Sequence, residues 1–150
     1  MTIEVRLETL QKNEDLGWVW VPEQKSFEVE AAFSLDDNNI DAEICRMGQL
    51  LLEYGTIQAD LITQAARKKS DIDYVGSLIA QRLRASGEKL TESAIKEKVT
   101  LTDDFRMAVM EYQAADGDAI KFTNYFKSLV KKADLIIALT YKVKAETRNF

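Results

Sequence analysis

The chain has no histidine, one cysteine and one proline in 150 residues. Without histidine, no Ser-His or Cys-His couple and no histidine-bound metal can form within it. A lone thiol, Cys45, excludes an internal disulfide framework and fits a reducing compartment. It falls beside an apolar helical stripe, where a packed role outweighs a reactive one. One proline and six glycines leave little material for a turn-rich all-β fold. No run approaches 18 consecutive apolar residues, so no membrane span is expected. The opening Met1-Thr2-Ile3-Glu4-Val5-Arg6 has no basic start followed by an apolar core. No signal peptide is predicted, and a cytoplasmic setting is expected. No glycine loop of the Walker or dinucleotide type is present, and no cofactor is expected.

What the chain does have is apolar and charged material in helical order. Hydrophobic residues make up 46% and charged residues 30%, enough apolar surface for a core. Two proline-free stretches, about residues 41–85 and 102–147, read as long helices. Each would span roughly 68 Å at ~1.5 Å per residue, so each needs partners along its length. The first carries Ile44, Met47, Leu51, Tyr54, Leu61, Ala65, Ile72, Val75, Ile79 and Leu83 at steps of three and four. Gln58 and Lys68 interrupt this stripe where further seam residues would fall. The second stripe includes Phe105, Val109, Tyr112, Ala119, Phe122, Phe126, Leu129, Val130, Ala133, Ile136, Ile137, Thr140 and Val143. Its breadth suits a helix that packs on its partner and on a neighbouring subunit. Ala115-Asp116-Gly117-Asp118 is the expected bend or break.

Between them, Ser86-Gly87 suits a left-handed cap. Thr91 is expected to cap a short helix over Glu92–Val99, and Thr100 and Asp103 stand at capping-box spacing. Ahead of the first helix, residues 34–39 form a polar break rich in capping types. Further upstream, residues 1–12 fit a short amphipathic helix or a strand. Trp18–Val21, a turn at Pro22–Lys25 and the alternating Phe27, Val29, Ala31, Phe33 predict a hairpin. The two tryptophans fit either an interaction patch or a cap on the helical bundle. The fold class expected is therefore mainly all-α. It is an elongated helical hairpin of two long helices with a short linker helix (residues 39–150) behind a small acidic, tryptophan-containing arm (1–38), one domain overall and oligomeric.

Charge is unevenly placed. Residues 1–45 hold eleven acidic and three basic groups, and residues 46–150 hold fourteen and seventeen. From Ala119 to Phe150 there are seven basic and two acidic residues. An acidic arm on a mildly basic body fits a protein that handles a polyanion and regulates access to it. The carboxylate pairs Asp36/Asp37, Asp103/Asp104 and Asp116/Asp118 have plain roles at helix ends or weak points, and Asp116-Gly117-Asp118 lacks the further ligands of a calcium loop. The basic clusters are the stronger signal: Arg67-Lys68-Lys69, Arg82 and Arg84 with Lys89 just beyond, Lys96 and Lys98, and Lys127, Lys131 and Lys132. The last three are expected to share a face and repel unless an anion lies nearby.

The order of these features resembles the UvsY recombination mediator family of tailed phages. The resemblance covers roughly residues 40–148. It rests on a long helix opening with Ile40-Asp41-Ala42-Glu43 and carrying Leu52-Glu53-Tyr54. That helix closes in Arg82-Leu83-Arg84 before Ser86-Gly87, and a lysine-rich linker and a last long helix follow. It implies a non-enzymatic homo-oligomer that binds single-stranded DNA and helps load a recombinase in place of the single-strand-binding protein. The family's DNA-contacting basic pair would fall on Arg82 and Arg84, with Lys89, Arg67, Lys68 and Lys69 as further candidates. Two departures stand out. Ala85-Ser86 replaces the aromatics that family members tend to carry there, and the tryptophan segment is longer. The competing reading is a phage structural, scaffold or assembly protein built on the same hairpin without nucleic acid.

Overall fold

The computed structural model describes residues 1–29 and 39–149. The fold is mainly helical. Among the described residues, two antiparallel strands, β1 (Thr2–Asn13) and β2 (Gly17–Glu28), precede three helices, α1 (Ile40–Ala85), α2 (Glu92–Leu101) and α3 (Asp103–Arg148). No described helix is long and apolar enough to cross a membrane.

The hairpin is placed differently from the expectation. Residues 2–13 are a strand throughout, paired in register from Thr2↔Glu28 to Asn13↔Gly17. The turn falls at Glu14–Leu16, where the Asn13 side-chain oxygen accepts from the Asp15 and Leu16 amides at 2.9 and 3.1 Å. Gly17 follows with φ +75°, a conformation that favours glycine. Pro22 is not a turn residue; it sits mid-strand opposite Glu8. A two-stranded sheet is all edge, so a residue whose N–H would face solvent loses nothing when it is proline. The expected continuation through Ala31 and Phe33, and most of the polar break at 34–39, lie outside the described residues. Asn39 is described and caps α1, its side chain accepting from the Ala42 amide at 3.2 Å.

The other helix ends follow local chemistry. Gly87 adopts φ +82° after α1. Thr91 caps α2, accepting from the Ala94 amide at 3.2 Å. The junction to α3 turns on Thr102, not on the Thr100/Asp103 box. The Thr102 amide and hydroxyl both donate to the Val99 carbonyl, and its own carbonyl accepts from Arg106. Thr100 instead donates to the Glu97 carbonyl. The break expected at 115–118 is absent, since α3 stays helical through it. Ala115 and Ala119 are buried on one face, while Gly117 looks onto open space. One exposed helical glycine costs about 1 kcal/mol, less than burial of the flanking turns returns.

The described fold consists of two compact units, Met1–Asp60 with Ile120–Phe150, and Leu61–Ala119. In the first, the inner face of the hairpin meets both long helices. Phe27 lies edge-on to Tyr54 and Phe122, with centroids 5.2 and 5.1 Å away, and Tyr125 completes the cluster. Phe122, Leu129 and Val5 are fully buried around it. The Phe126 ring packs beside Gly55, and Gln58, one of the two interruptions in the α1 stripe, donates to the Thr123 hydroxyl at 3.2 Å. In the second unit Ile79, Ile95 and Val99 form the core, with Val75, Leu83, Leu90 and Phe105 around them. A Cβ at Gly76 would lie 3.5 Å from the Phe105 ring, an ordinary contact distance.

Candidate nucleic-acid interface

The six residues expected to contact DNA, Arg67, Lys68, Lys69, Arg82, Arg84 and Lys89, all belong to the second unit. The α1 seam there contains Lys68, the other interruption. Its ammonium meets the Glu111 carboxylate of α3 at 2.8 Å, and its side chain is only 14% exposed. The stem fills the seam as a hydrophobic residue would, and the charge is answered from the opposite helix. Arg67 is half-buried, while Lys69 and Lys89 are exposed.

Arg82 and Arg84 do not work as a pair. Two residues apart on a helix they diverge by about 200°, and each lines a different groove beside α1. Arg84 joins Gly76, Glu92, Lys96 and Phe105 around a cavity of about 600 Å³. Its guanidinium is forked onto Glu92, with contacts of 2.8 and 3.3 Å. The hydrogen bond to Arg84, and then its charge, holds the Glu92 carboxyl below the usual carboxylate range; the same contact raises the arginine. Both side chains are exposed, so the pair orients the arginine more than it stabilises the fold. Lys98 likewise meets Glu88 at 3.3 Å.

Arg82 opens on the other groove, a cavity of about 380 Å³ with Lys68, Tyr74, Leu78, Met107 and Glu111 in its lining. Tyr74, Leu78 and Arg82 follow each other at steps of four, which places them on one face of α1. Tyr74 is 65% exposed. An exposed phenol ring, an aliphatic floor and a guanidinium thus line the same groove. Asp71 and Asp104 also line it and reduce its attraction for anions. Sequence reasoning selected Arg82 and missed Tyr74; the i, i+4, i+8 spacing of Tyr74, Leu78 and Arg82 was the available signal.

The lysines of α3 lie in the first unit and are divided. Lys127 and Lys131 are exposed. Lys132 turns toward α1, where burial, with a smaller push from Arg46, pulls its ammonium below the ordinary lysine range, against the attraction of Glu43. Glu43 is itself buried and receives the Arg46 guanidinium at 3.0 Å. Within the lysine cluster, Glu43 attracts Lys132.

Cys45, expected to be packed, is exposed on α1. No group of histidine, cysteine and acidic residues suited to a metal occurs among the described residues. No family model matches the chain, and neither a curated protein nor a solved structure does.

Proposed function

We propose that the protein binds single-stranded DNA as a homo-oligomer and serves as a recombination accessory factor that helps a recombinase load, as its likeness in layout to the UvsY family implies. The observation that carries this reading is the Tyr74–Arg82 groove. Single strands are held sequence-independently by aromatic faces for bases and cations for phosphates, and this groove presents one of each about two turns apart on one face of one helix. The affinity of one copy is weak. Residues 61–119 hold nine basic and ten acidic groups, so useful binding requires several copies on one strand.

That same charge balance favours the second reading, a phage structural or assembly protein with no nucleic-acid ligand. Fluorescence anisotropy with a labelled oligonucleotide at low and high salt separates the two. For the first reading, log affinity falls linearly with log salt, with a slope of about −0.7 per neutralised phosphate. Arg82→Ala weakens binding at least tenfold, about 1.4 kcal/mol. Tyr74→Ala removes about 1–3 kcal/mol of stacking. Arg84→Ala has the smaller effect, because its guanidinium is already engaged by Glu92. Absence of binding at low salt leaves the assembly reading.

A further inference from the structure

The groove beside Arg84 has no part in the reading above, although it is the larger of the two described. Its cavity of about 600 Å³ is lined by residues of the second unit alone. One wall is a face of α1, where Gly76, Ala80 and Arg84 follow each other at steps of four. Gly76 and Ala80 are small, so the wall recedes between the larger groups. Opposite stands α2, with Glu92, Ile95, Lys96 and Val99, and Phe105 of α3 lies beside Gly76. Ile95 and Val99 are buried, so the floor of the groove is the edge of the unit's own core.

The rest of the chain does not reach this groove. Residues 30–38 precede α1, and nine residues span at most ~32 Å. Ile72, the first lining residue, stands 32 positions and roughly 48 Å beyond Ile40 on that helix. Phe150 follows the far end of α3, 45 positions after Phe105.

Cavities of this size with an apolar floor and a few polar groups are the usual sites of small molecules, and the polar groups fix the ligand's direction. Here they lie mainly at one end. Arg84 and Lys96 flank Glu92, while Asp73, the other acidic lining residue, is eleven positions and roughly 16 Å back along α1. The structure also shows which anion suits the cationic end. The Glu92 carboxylate sits on Arg84 in a two-point fork, at 2.8 Å from Nη2 and 3.3 Å from Nε, the arrangement in which a guanidinium takes any carboxylate. Both side chains are more than half exposed, so parting them costs the fold little. Lys96, one turn after Glu92 on α2, is exposed and adds a second cation. We infer that this groove binds a small amphipathic carboxylic acid, with its apolar body over Gly76, Ala80, Ile95 and Phe105 and its carboxylate on Arg84 in place of Glu92. Glu92 is then a built-in competitor that holds the arginine in position until a ligand replaces it. The inference uses neither Tyr74 nor Arg82 and stands apart from the nucleic-acid reading.

The test is a titration of the full chain with decanoate below its micelle concentration, followed by amide chemical shifts in NMR. Decylammonium has the same chain with the opposite charge, and acetate has the same head without the body. Decanoate is expected to give saturable shifts at residues of the groove, Gly76, Ala80 and Ile95 among them, and the two control compounds are not. Arg84→Ala is expected to weaken decanoate binding about tenfold or more, since it removes a charge-assisted hydrogen-bond pair. Glu92→Gln is expected to tighten it, because the internal competitor loses its charge. A merely structural role for the ion pair does not predict that gain. Circular dichroism and melting temperature check that the variants, both at exposed positions, keep the fold. Absence of saturable shifts in wild type and Glu92→Gln would overturn the inference. So would shifts confined to residues outside the groove, decylammonium binding as well as decanoate, or Glu92→Gln binding no tighter than wild type.

Discussion

The same two helices build two different seams. In the unit formed by Met1–Asp60 and Ile120–Phe150, the seam is aromatic and has a third layer, because the hairpin delivers Phe27 onto Tyr54 and Phe122. In the unit formed by Leu61–Ala119, the core is a small aliphatic group around Ile79, Ile95 and Val99, and part of the seam is an ion pair. Each α1 interruption is resolved in the style of its unit: Gln58 finds a hydroxyl among aromatics, and Lys68 finds a carboxylate at the edge of a groove. The first unit buries the larger, aromatic core, and the second sets a smaller aliphatic core beside exposed charged groups. That division places the groove with Arg82 and Tyr74 where packing constrains its residues least.

The largest test of this contrast is a pair of truncations. Phe122 is fully buried at the centre of the aromatic cluster, so Phe122→Ala is expected to destabilise by about 3–5 kcal/mol. Val99→Ala, in the smaller core, removes two methyl groups where the first change removes a whole ring, and is expected to lower stability by about 1–2 kcal/mol. Urea denaturation followed by circular dichroism measures both, and equal losses would erase the distinction.

Alkaline pH gives the next largest effect. Burial, reinforced by the neighbouring Tyr54, pushes the Tyr125 phenol from the ordinary 10.0 up to about 12. Above pH 10 the unfolded chain releases a proton that the fold retains. The contribution is therefore complete below the unfolded value and disappears as pH rises through the folded one. About 2–3 kcal/mol is expected to be lost between these values. Tyr54, raised mainly by its own burial, acts in the same direction. Denaturation midpoints at pH 9 and pH 11.5 test this, and Tyr125→Phe should reduce the slope.

The smallest effect belongs to the seam ion pair. Glu111 is 52% exposed, so Lys68→Met, which keeps the buried stem and removes the charge, is expected to change stability by under about 1 kcal/mol. Lys68→Ala should lose more, because it also empties the seam. The same denaturation experiment reads both, and a loss for Met as large as that for Ala would show that the charge carries the contact.

What was legible in the chain was what neighbouring residues decide. Both long helices, the Thr91 cap and the left-handed Gly87 depend on residues a few positions away, and they fell within about one residue of the expected bounds. The position of the hairpin is not legible in the same way, because Pro22 has the signature of a turn while lying mid-strand. Asn13 and Gly17, four apart, were the real turn signal. The cations of the candidate interface were legible individually, but the carboxylates that engage them were not. Glu111 is 43 residues from Lys68 and reaches it only when the helices pair. A basic cluster in sequence is a count of charges, and its free charge depends on what the partner helix brings.

The placement of the aromatics has an optical consequence. The chain has two tryptophans, and both stand on the outer face of the hairpin, while the helical core is lined by phenylalanine and tyrosine. Indole emission therefore reports the surface and says little about the packing of α1 on α3. Covering that face with anything apolar should shift the emission to shorter wavelength, and a soluble quencher should lose its access. The hairpin carries its own dye for whatever docks on its outer face, in a spectral channel that the tyrosines of the core leave almost clear.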